Sequence, residues 1–358
     1  MDILEYIPKL VRASLDRDDK AIRLISTTIM RKIKVNNPKI ASEIGTALDY
    51  NAIGSMAKRG VGISTSPMDR ENKNELLYVD EPIKISRPIF NKKIEDFIDE
   101  FITERQKSSE LLSLGLFPIS SIILYGPPGV GKTYLARYLA GELNLKFATL
   151  NLATSISSYL GKTGQNLKSV LDYAKEEPTL LLLDEFDAVA KKRDDDSELG
   201  ELKRIVNVLL KELEEWPNHS VIIAATNYPQ LLDKAIWRRF DVNLEIGLPS
   251  KEQRLKIIED NLPEKLDIDI EKIILEFTEG MSADDICKIV ERSRKNGIIK
   301  GGDINKWFLI NIIKFKGNTD SKFNKKICIE LSKRTDLTMS QMAEIIGKSK
   351  SAVQYYLK

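Results

Sequence analysis

The sequence predicts an α/β protein in which a parallel sheet is sandwiched by helices. A helical lid and small helical modules at both ends complete the predicted architecture. Short apolar runs at 122–124, 147–150, 180–183 and 221–225 alternate with longer amphipathic segments, as is typical of parallel strands joined by crossover helices. A glycine-rich loop follows the first run, and residues 251–315 carry only helical apolar spacing.

Composition restricts the class of protein. The chain has 358 residues, of which 42% are hydrophobic and 30% charged, as expected for two or three globular domains. With two cysteines, Cys287 and Cys328, a disulfide scaffold is excluded and a reducing compartment is favoured. The only histidine, His219, leaves no histidine-based triad or multi-histidine metal site. The net charge of +2 gives no global nucleic-acid signature.

Neither a membrane nor a secretory route is expected. No apolar run approaches the ~18 residues of a spanning helix. The first residues lack the basic segment and apolar block of a signal peptide. We therefore expect a cytoplasmic protein without a membrane partner.

Changes of pattern divide the chain into five segments. Residues 1–50 read as a small helical module, and the glycine- and serine-rich stretch 51–85 reads as a linker. Residues 86–248 form the predicted α/β domain, 249–316 the helical lid domain, and 317–358 a C-terminal module.

The loop after the first strand has the pattern G-x-x-x-x-G-K-[ST] of a phosphate-binding loop. Its glycines let successive N–H groups face one anion, and the helix that follows directs its positive end at the phosphates. The lysine supplies a charge for the β- and γ-phosphates, and the threonine a hydroxyl for Mg²⁺. The sequence therefore predicts a P-loop NTPase that binds ATP and Mg²⁺ through Gly126, Pro127, Pro128, Gly129, Val130, Gly131, Lys132 and Thr133.

Two carboxylates end the run of four leucines at 180–183. The carboxyl ends of parallel strands are where α/β sheets bind ligands. We expect Asp184 to hold the Mg²⁺ shell and Glu185 to activate the attacking water.

Together these motifs resemble the AAA family of ATPases. The run 221–227 resembles the family strand that ends in a polar sensor, here Asn227, and Arg238 and Arg239 match its arginine fingers. The resemblance covers about residues 86–315. It implies an ATP hydrolase assembled as a ring, usually a hexamer, with each active site shared between two subunits.

A pore loop is also implied by the resemblance. Members that thread polypeptides place an aromatic–aliphatic–glycine loop at the central pore, and Tyr159 and Leu160, followed by Gly161, match it. The helical start and the segments around 157–163 and 184–195 are similar to bacterial AAA ATPases that accompany subtilisin-like serine proteases in plasmid maintenance or phage defence. This similarity implies a protein client, a serine protease as partner, and a role in antiviral defence.

The C-terminal residues 337–358 resemble a helix-turn-helix. Ala343 precedes Gly347 by four residues and Val353 follows six later, the spacing of a small residue, a turn and a buried aliphatic. In a DNA-binding version Lys350, Ser351 and Gln354 would approach bases or phosphates. Ten basic and four acidic residues from 314 onward favour an anionic partner. A helical assembly module with a solvated basic face is an equal alternative.

Two functions follow from these patterns. The first is a ring-forming ATPase that remodels or threads a protein client. The second is an ATP-switched, DNA-binding assembly factor that acts through residues 337–358.

Overall fold

The structure, a computed structural model, describes residues 6–15, 25–26, 28–29, 32–33, 37, 39–40, 77–154, 163–189, 196–262, 268–316 and 321–358. The chain divides into two compact units, Met1–Thr65 and Ser66–Lys358. In the first unit, helix α1 (Ile7–Leu15) is described, and Ile29 and Ile33 form a small apolar cluster with Tyr6, Leu10 and Ile25. The predicted helical module therefore has an apolar centre within its described residues.

A six-stranded sheet in the order β1-β3-β4-β5-β2-β6 forms the centre of the described part of the second unit. All neighbouring strands are parallel except β1, which pairs antiparallel with β3. The strands are β1 (Tyr78–Asp80), β2 (Ser121–Tyr125), β3 (Lys146–Asn151), β4 (Thr179–Asp184), β5 (Val221–Thr226) and β6 (Val242–Glu245).

Helices cover both faces of this sheet. They are α2 (Lys92–Gln106), α3 (Ser108–Ser113), α4 (Lys132–Glu142), α5 (Thr163–Glu176), α6 (Asp196–Glu214) and α7 (Lys234–Trp237). Alternate strand residues enter different cores: Leu181 packs in the cluster with α5 and α6, whereas Leu180 and Leu182 pack in the cluster with α2 and α4. Burial on both faces explains why these strands are continuous apolar runs. The predicted fold class is confirmed.

Both edge strands fall outside the predicted runs. Residues 78–80 were expected to belong to the linker 51–85, but they pair with β3, and the neighbouring Leu77 is 1% exposed. Strand β6 was not predicted. Each strand is short and its side chains are mixed in exposure, so neither has a periodic apolar pattern that the sequence could reveal. The sheet domain therefore extends to residue 77, and linker residues 51–76 lie outside the described residues.

The lid helices and the C-terminal helices share one hydrophobic core. The lid contains α8 (Lys251–Asn261), α9 (Ile268–Phe277), α10 (Ala283–Lys300) and α11 (Ile304–Lys316). The C-terminal helices are α12 (Ser321–Arg334), α13 (Met339–Ile346) and α14 (Lys350–Leu357). Their shared cluster includes Ile273, Ile289 and Ile312 from the lid, together with Cys328 and Val353 from the C-terminal helices. Residues 321–358 thus pack as an extension of the lid.

A tight turn joins α13 to α14. Helix α13 begins with a capping box formed by Thr338 and Gln341, and it ends at Gly347, whose φ of 67° lies in the left-handed region. The Ser349 side chain then accepts a hydrogen bond from the Ala352 N–H and caps α14. Because Val353 is fully buried, α14 is held against the neighbouring helices along one face.

The length and polarity of the described helices bear on whether any of them could span a membrane. Across the described ranges, every helix is too short or too polar to cross a bilayer.

Candidate functional site

Three neighbouring strands place the predicted site residues at one edge of the sheet. Strands β4, β5 and β2 are adjacent and parallel, so their carboxyl ends lie side by side. The glycine-rich loop follows β2, Asp184 ends β4, and Asn227 follows β5. Lys132 and Asn227, which are 95 positions apart in the sequence, therefore converge because of the strand order.

The loop after β2 depends on its glycines. Gly126, Gly129 and Gly131 have φ of 147°, 75° and 100°, values that side chains rarely adopt. A Cβ on Gly126 would lie 2.0 Å from the Ile246 carbonyl oxygen. Helix α4 begins directly at Lys132, so its free N–H groups open toward the loop. Loop and helix together form a cradle suited to an anion.

We expect Gly126→Ala to destabilise the sheet domain and abolish nucleotide binding. The added Cβ would clash with the Ile246 backbone, so the backbone of the loop or of Ile246 would have to move. The free energy of unfolding should fall by more than about 3 kcal/mol, measured by denaturant titration. Gly115→Ala is the matched control: its φ is also positive, at 75°, but no atom lies within 4 Å of its Cβ. That variant should lose only about 1–2 kcal/mol. Equal losses in both variants would contradict the close-packing explanation.

Lys132 is an enclosed charged group of the site, at 8% exposure. Its ammonium donates to the carbonyl oxygens of Gly126 and Pro127, both at 2.8 Å, and to Asn227 Oδ1 at 2.7 Å. Burial lowers the Lys132 pKa to about 8, opposed by the negative charges of Asp184 and Asp187. An anion in the loop would favour the charged ammonium, so the local chemistry fits a phosphate group.

The acidic pair at the end of β4 has two different environments. Asp184 is half-buried, and its Oδ1 accepts a hydrogen bond from the Glu185 N–H at 2.9 Å. Glu185 is exposed and has a φ of 53°, a left-handed conformation that costs a non-glycine residue about 1–2 kcal/mol. Such strain is concentrated at functional sites. Here the left-handed conformation of Glu185 turns the backbone out of the strand direction immediately after Asp184.

Sequence reasoning missed Asp187, which lies beneath the acidic pair. It is 4% exposed, and its carboxylate accepts a hydrogen bond from Thr226 Oγ1 at 2.9 Å. Thr226 Oγ1 in turn accepts from the Tyr228 N–H at 3.0 Å. These bonds fix the turn that carries Asn227. No local pattern marks this role, because it depends on the contact between β5 and the 3-10 helix Phe186–Val189.

A cleft beside the loop was also missed. It is lined by Ile89 and Phe90 before α2, Val130 of the loop, Leu248 after β6, and Ala283 at the start of α10. Asn91 and Gln253 also line it, so the cleft offers polar groups as well as apolar contacts to a heterocycle next to the phosphate cradle. No local motif marks this set, because its members come from four separate segments.

The two predicted arginine fingers are distant from Lys132 in the sequence, and their side chains lie on the surface of this chain. Both are exposed and follow α7. Arg239 forms an ion pair with Glu214 of α6. Arg238, within the described residues, has no ion-pair partner. In this chain the Arg238 side chain is therefore exposed to solvent.

The remaining predicted residues divide into two groups. Thr133 is exposed in the first turn of α4, next to Lys132. Tyr159 and Leu160, the predicted pore residues, lie outside the described residues.

Comparison with known proteins agrees with this geometry. Residues 122–248 match the family model described as "ATPase family associated with various cellular activities (AAA)". The chain is 42% identical over 148 residues to an uncharacterized AAA family ATPase of Sinorhizobium fredii, covering 41% of this chain and 45% of the relative. It is 36% identical over 204 residues to a cell division cycle protein 48 homolog of Archaeoglobus fulgidus, covering 53% and 27%. It is 38% identical over 185 residues to a proteasome-activating nucleotidase of Pyrococcus abyssi, covering 49% and 46%.

Among solved structures, the crystal structure of the FIGL-1 AAA domain resembles this fold. The TM-score is 0.56 at 20% identity, and the match covers 83% of this chain and 96% of that chain. The present chain spans less than half the length of the three relatives above.

The strand order, the glycine-rich loop and the buried lysine define a P-loop NTPase fold. Within that class, residues 122–248 are similar to the AAA family of ATPases, whose model they match.

Proposed function

We propose that this protein is a Mg²⁺-dependent ATP hydrolase that works as a ring and remodels or threads a protein client. One observation carries the nucleotide part: the Lys132 ammonium is enclosed by the loop carbonyls and Asn227, beside the Asp184 strand end. ATP phosphates would lie in the loop 126–131, with Lys132 beside the β- and γ-phosphates. The cleft at Ile89 and Leu248 would hold the base.

Thr133 and Asp184 would hold the Mg²⁺ ion. Two protein oxygens are enough, because Mg²⁺ keeps several waters and takes its other ligands from the phosphates. When bound, the ion neutralises charge on the β- and γ-oxygens. Both residues offer oxygen at the same sheet edge, so the donor set fits this hard cation.

The hydrolytic step would use Glu185 and Asn227. The exposed Glu185 carboxylate would accept a proton from the attacking water, as a positioned general base. The Asn227 amide has a donor and an acceptor, and its oxygen already accepts from Lys132. It would therefore respond to the phosphate held by that lysine while its NH₂ orients the water.

A ring, six-membered by the family resemblance, would complete the site. Arg238 and Arg239 are exposed in the subunit, and a guanidinium is suited to phosphate oxygens because it is planar and always charged. Donated to the neighbour's nucleotide, these arginines would stabilise charge on the transferred phosphoryl group. The relatives' names, which include a proteasome-activating nucleotidase, support a protein client for the motor. A subtilisin-like serine protease as partner, a cytoplasmic location and a role in phage defence belong to this proposal through sequence resemblance alone.

The pore hypothesis predicts that Tyr159→Ala lowers client processing at least about tenfold, since an aromatic ring supplies sequence-independent apolar grip. The chain offers Tyr78→Ala as a matched control, because Tyr78 is 72% exposed and lies on edge strand β1. The assay is ATP-dependent loss of fluorescence from a client fusion with a green fluorescent protein. The client is identified first by capture on the Glu185→Gln ring with ATP, after nuclease treatment. Undiminished unfolding by Tyr159→Ala would contradict the threading motor.

A second candidate function is the ATP-switched DNA-binding assembly factor. The observation that favours it is the pair α13 and α14, joined at a left-handed Gly347 and packed through Val353. In this alternative ATP controls assembly on DNA, and residues 337–358 select the site. Replacing Lys350, Ser351 and Gln354 together by glutamate should then abolish DNA binding, as measured by fluorescence anisotropy. DNA affinity that survives these substitutions would contradict the alternative.

A further inference from the structure

Helix α14 presents a polar face with the chemistry of a nucleic-acid reader. Lys350, Ser351, Gln354 and Tyr355 are exposed, whereas Val353 is buried. Positions i, i+1, i+4 and i+5 lie along one side of a helix. The helix has no acidic residue. Lysine, serine and glutamine are side chains that bind base edges and phosphates in the major groove.

Positive charge is available beside this face, because the described ion pairs of the C-terminal helices involve cations outside α14. Lys326 pairs with Glu276 and Lys306 with Glu344, both at 2.9 Å, and Arg334 pairs with Glu330 at 2.7 Å. Within residues 321–358 as described, Lys348, Lys350 and Lys358 have no ion pair. These three lysines flank the two ends of α14. An anionic partner would therefore meet unneutralised charge along the helix.

The C-terminal helices are joined to the lid by specific contacts as well as by the shared core. The Phe323 ring of α12 lies edge-on to Phe277 of α9, with centroids 5.3 Å apart. The Lys326–Glu276 pair joins the same two helices, and the Lys306–Glu344 pair joins α11 to α13. A ligand on α14 would therefore act on the lid, because the two parts form one packed body.

The lid in turn reaches the phosphate-binding loop. The Asp284 N–H, in the first turn of α10, donates to the Gly129 carbonyl oxygen at 2.9 Å. A Cβ on Gly129 would lie 2.6 Å from Ser282 Oγ. Helix α10 packs against α11, and α11 against α13. Helices in contact thus connect the loop to the α13–α14 pair.

We propose that duplex DNA binds the exposed face of α14 and that its affinity depends on the nucleotide in the loop 126–131, with the lid as the coupling element. The inference rests on the proposed nucleotide site. It differs from a tethered DNA-binding tail, whose affinity would be the same in every nucleotide state. By linkage, DNA also changes the affinity for ATP by the same factor that ATP changes the affinity for DNA.

The test uses the full chain with Glu185→Gln, a fluorescein-labelled random-sequence 30-bp duplex, and anisotropy titrations with Mg²⁺ and ATP, with Mg²⁺ and ADP, or without nucleotide. We expect the DNA Kd to differ by at least about fivefold between ATP and ADP. Lys350→Glu with Gln354→Glu should weaken DNA binding at least about tenfold. Lys107→Glu with Gln106→Glu, which makes the same substitutions at the exposed C-terminal end of α2, should change the DNA Kd less than twofold.

A third variant separates the coupling from the binding. Phe323→Ala with Lys326→Gln removes the contacts between α12 and α9 but leaves the α14 face intact. It should bind DNA and show a nucleotide dependence below twofold. Binding of a fluorescent ATP analogue is measured in the same samples. If the Glu185→Gln chain binds ATP but binds no duplex, or binds DNA with the same Kd in every nucleotide state, this inference is overturned while the ATPase proposal stands. If the Glu185→Gln chain does not bind ATP, both proposals are overturned.

Discussion

Glu185→Gln should lower the steady-state rate of ATP hydrolysis by about 10²–10⁴-fold, the usual contribution of a positioned general base. Glu185 is the exposed carboxylate directly after the Asp184 strand end, held in a left-handed conformation. The amide keeps the size of the side chain but cannot accept the proton of the attacking water. Phosphate release measures the effect, and binding of a fluorescent ATP analogue should stay within about threefold of the parent value, because the phosphate cradle is unchanged.

The matched control is Glu245→Gln. Glu245 is also exposed, and it ends β6 at the same edge of the sheet. The same loss of charge there should leave turnover within about twofold, since exposed charges at a distance are screened. If Glu185→Gln turned over ATP as fast as the parent while binding it normally, Glu185 would not be the base.

Arg238→Ala should lower ATP turnover by about 10³–10⁵-fold, the range for an arginine finger, with little change in nucleotide binding. The large effect is expected because a guanidinium stabilises charge that develops only in the transition state. Arg238 is exposed and has no ion pair among the residues that the structure describes, so it is better placed for donation than Arg239, which pairs with Glu214. Arg239→Ala should therefore have a smaller effect, and exposed Arg292→Ala on lid helix α10 almost none.

Mixing subunits tests whether the arginine acts on a neighbour. A Lys132→Ala subunit cannot bind phosphates but keeps Arg238, whereas an Arg238→Ala subunit keeps an intact loop. In a randomly mixed ring about one interface in four combines an intact loop with an intact arginine, so activity should reappear. A mixture as inactive as its two components would contradict the shared site.

Local motifs predict the proposed nucleotide site from the sequence. A phosphate cradle needs glycines, lysine and a hydroxyl at fixed spacing, and residues 126–133 carry that pattern. The four central strands were predictable because burial on both faces requires unbroken apolar runs. The edge strands β1 and β6 were not, since a short strand with exposed positions has no such pattern.

Contacts between distant segments could not be predicted in the same way. The sequence by itself specified Lys132, Asp184 and Asn227 as separate motif members. Their convergence follows from the order of β4, β5 and β2, which brings the Lys132 ammonium to 2.7 Å from Asn227. The hydrogen bond of Asp187 to Thr226 and the single core of the lid and C-terminal helices likewise arise from packing between distant segments. Motifs encode local backbone and chemical requirements, whereas which surfaces meet is decided by how the whole chain buries its apolar area.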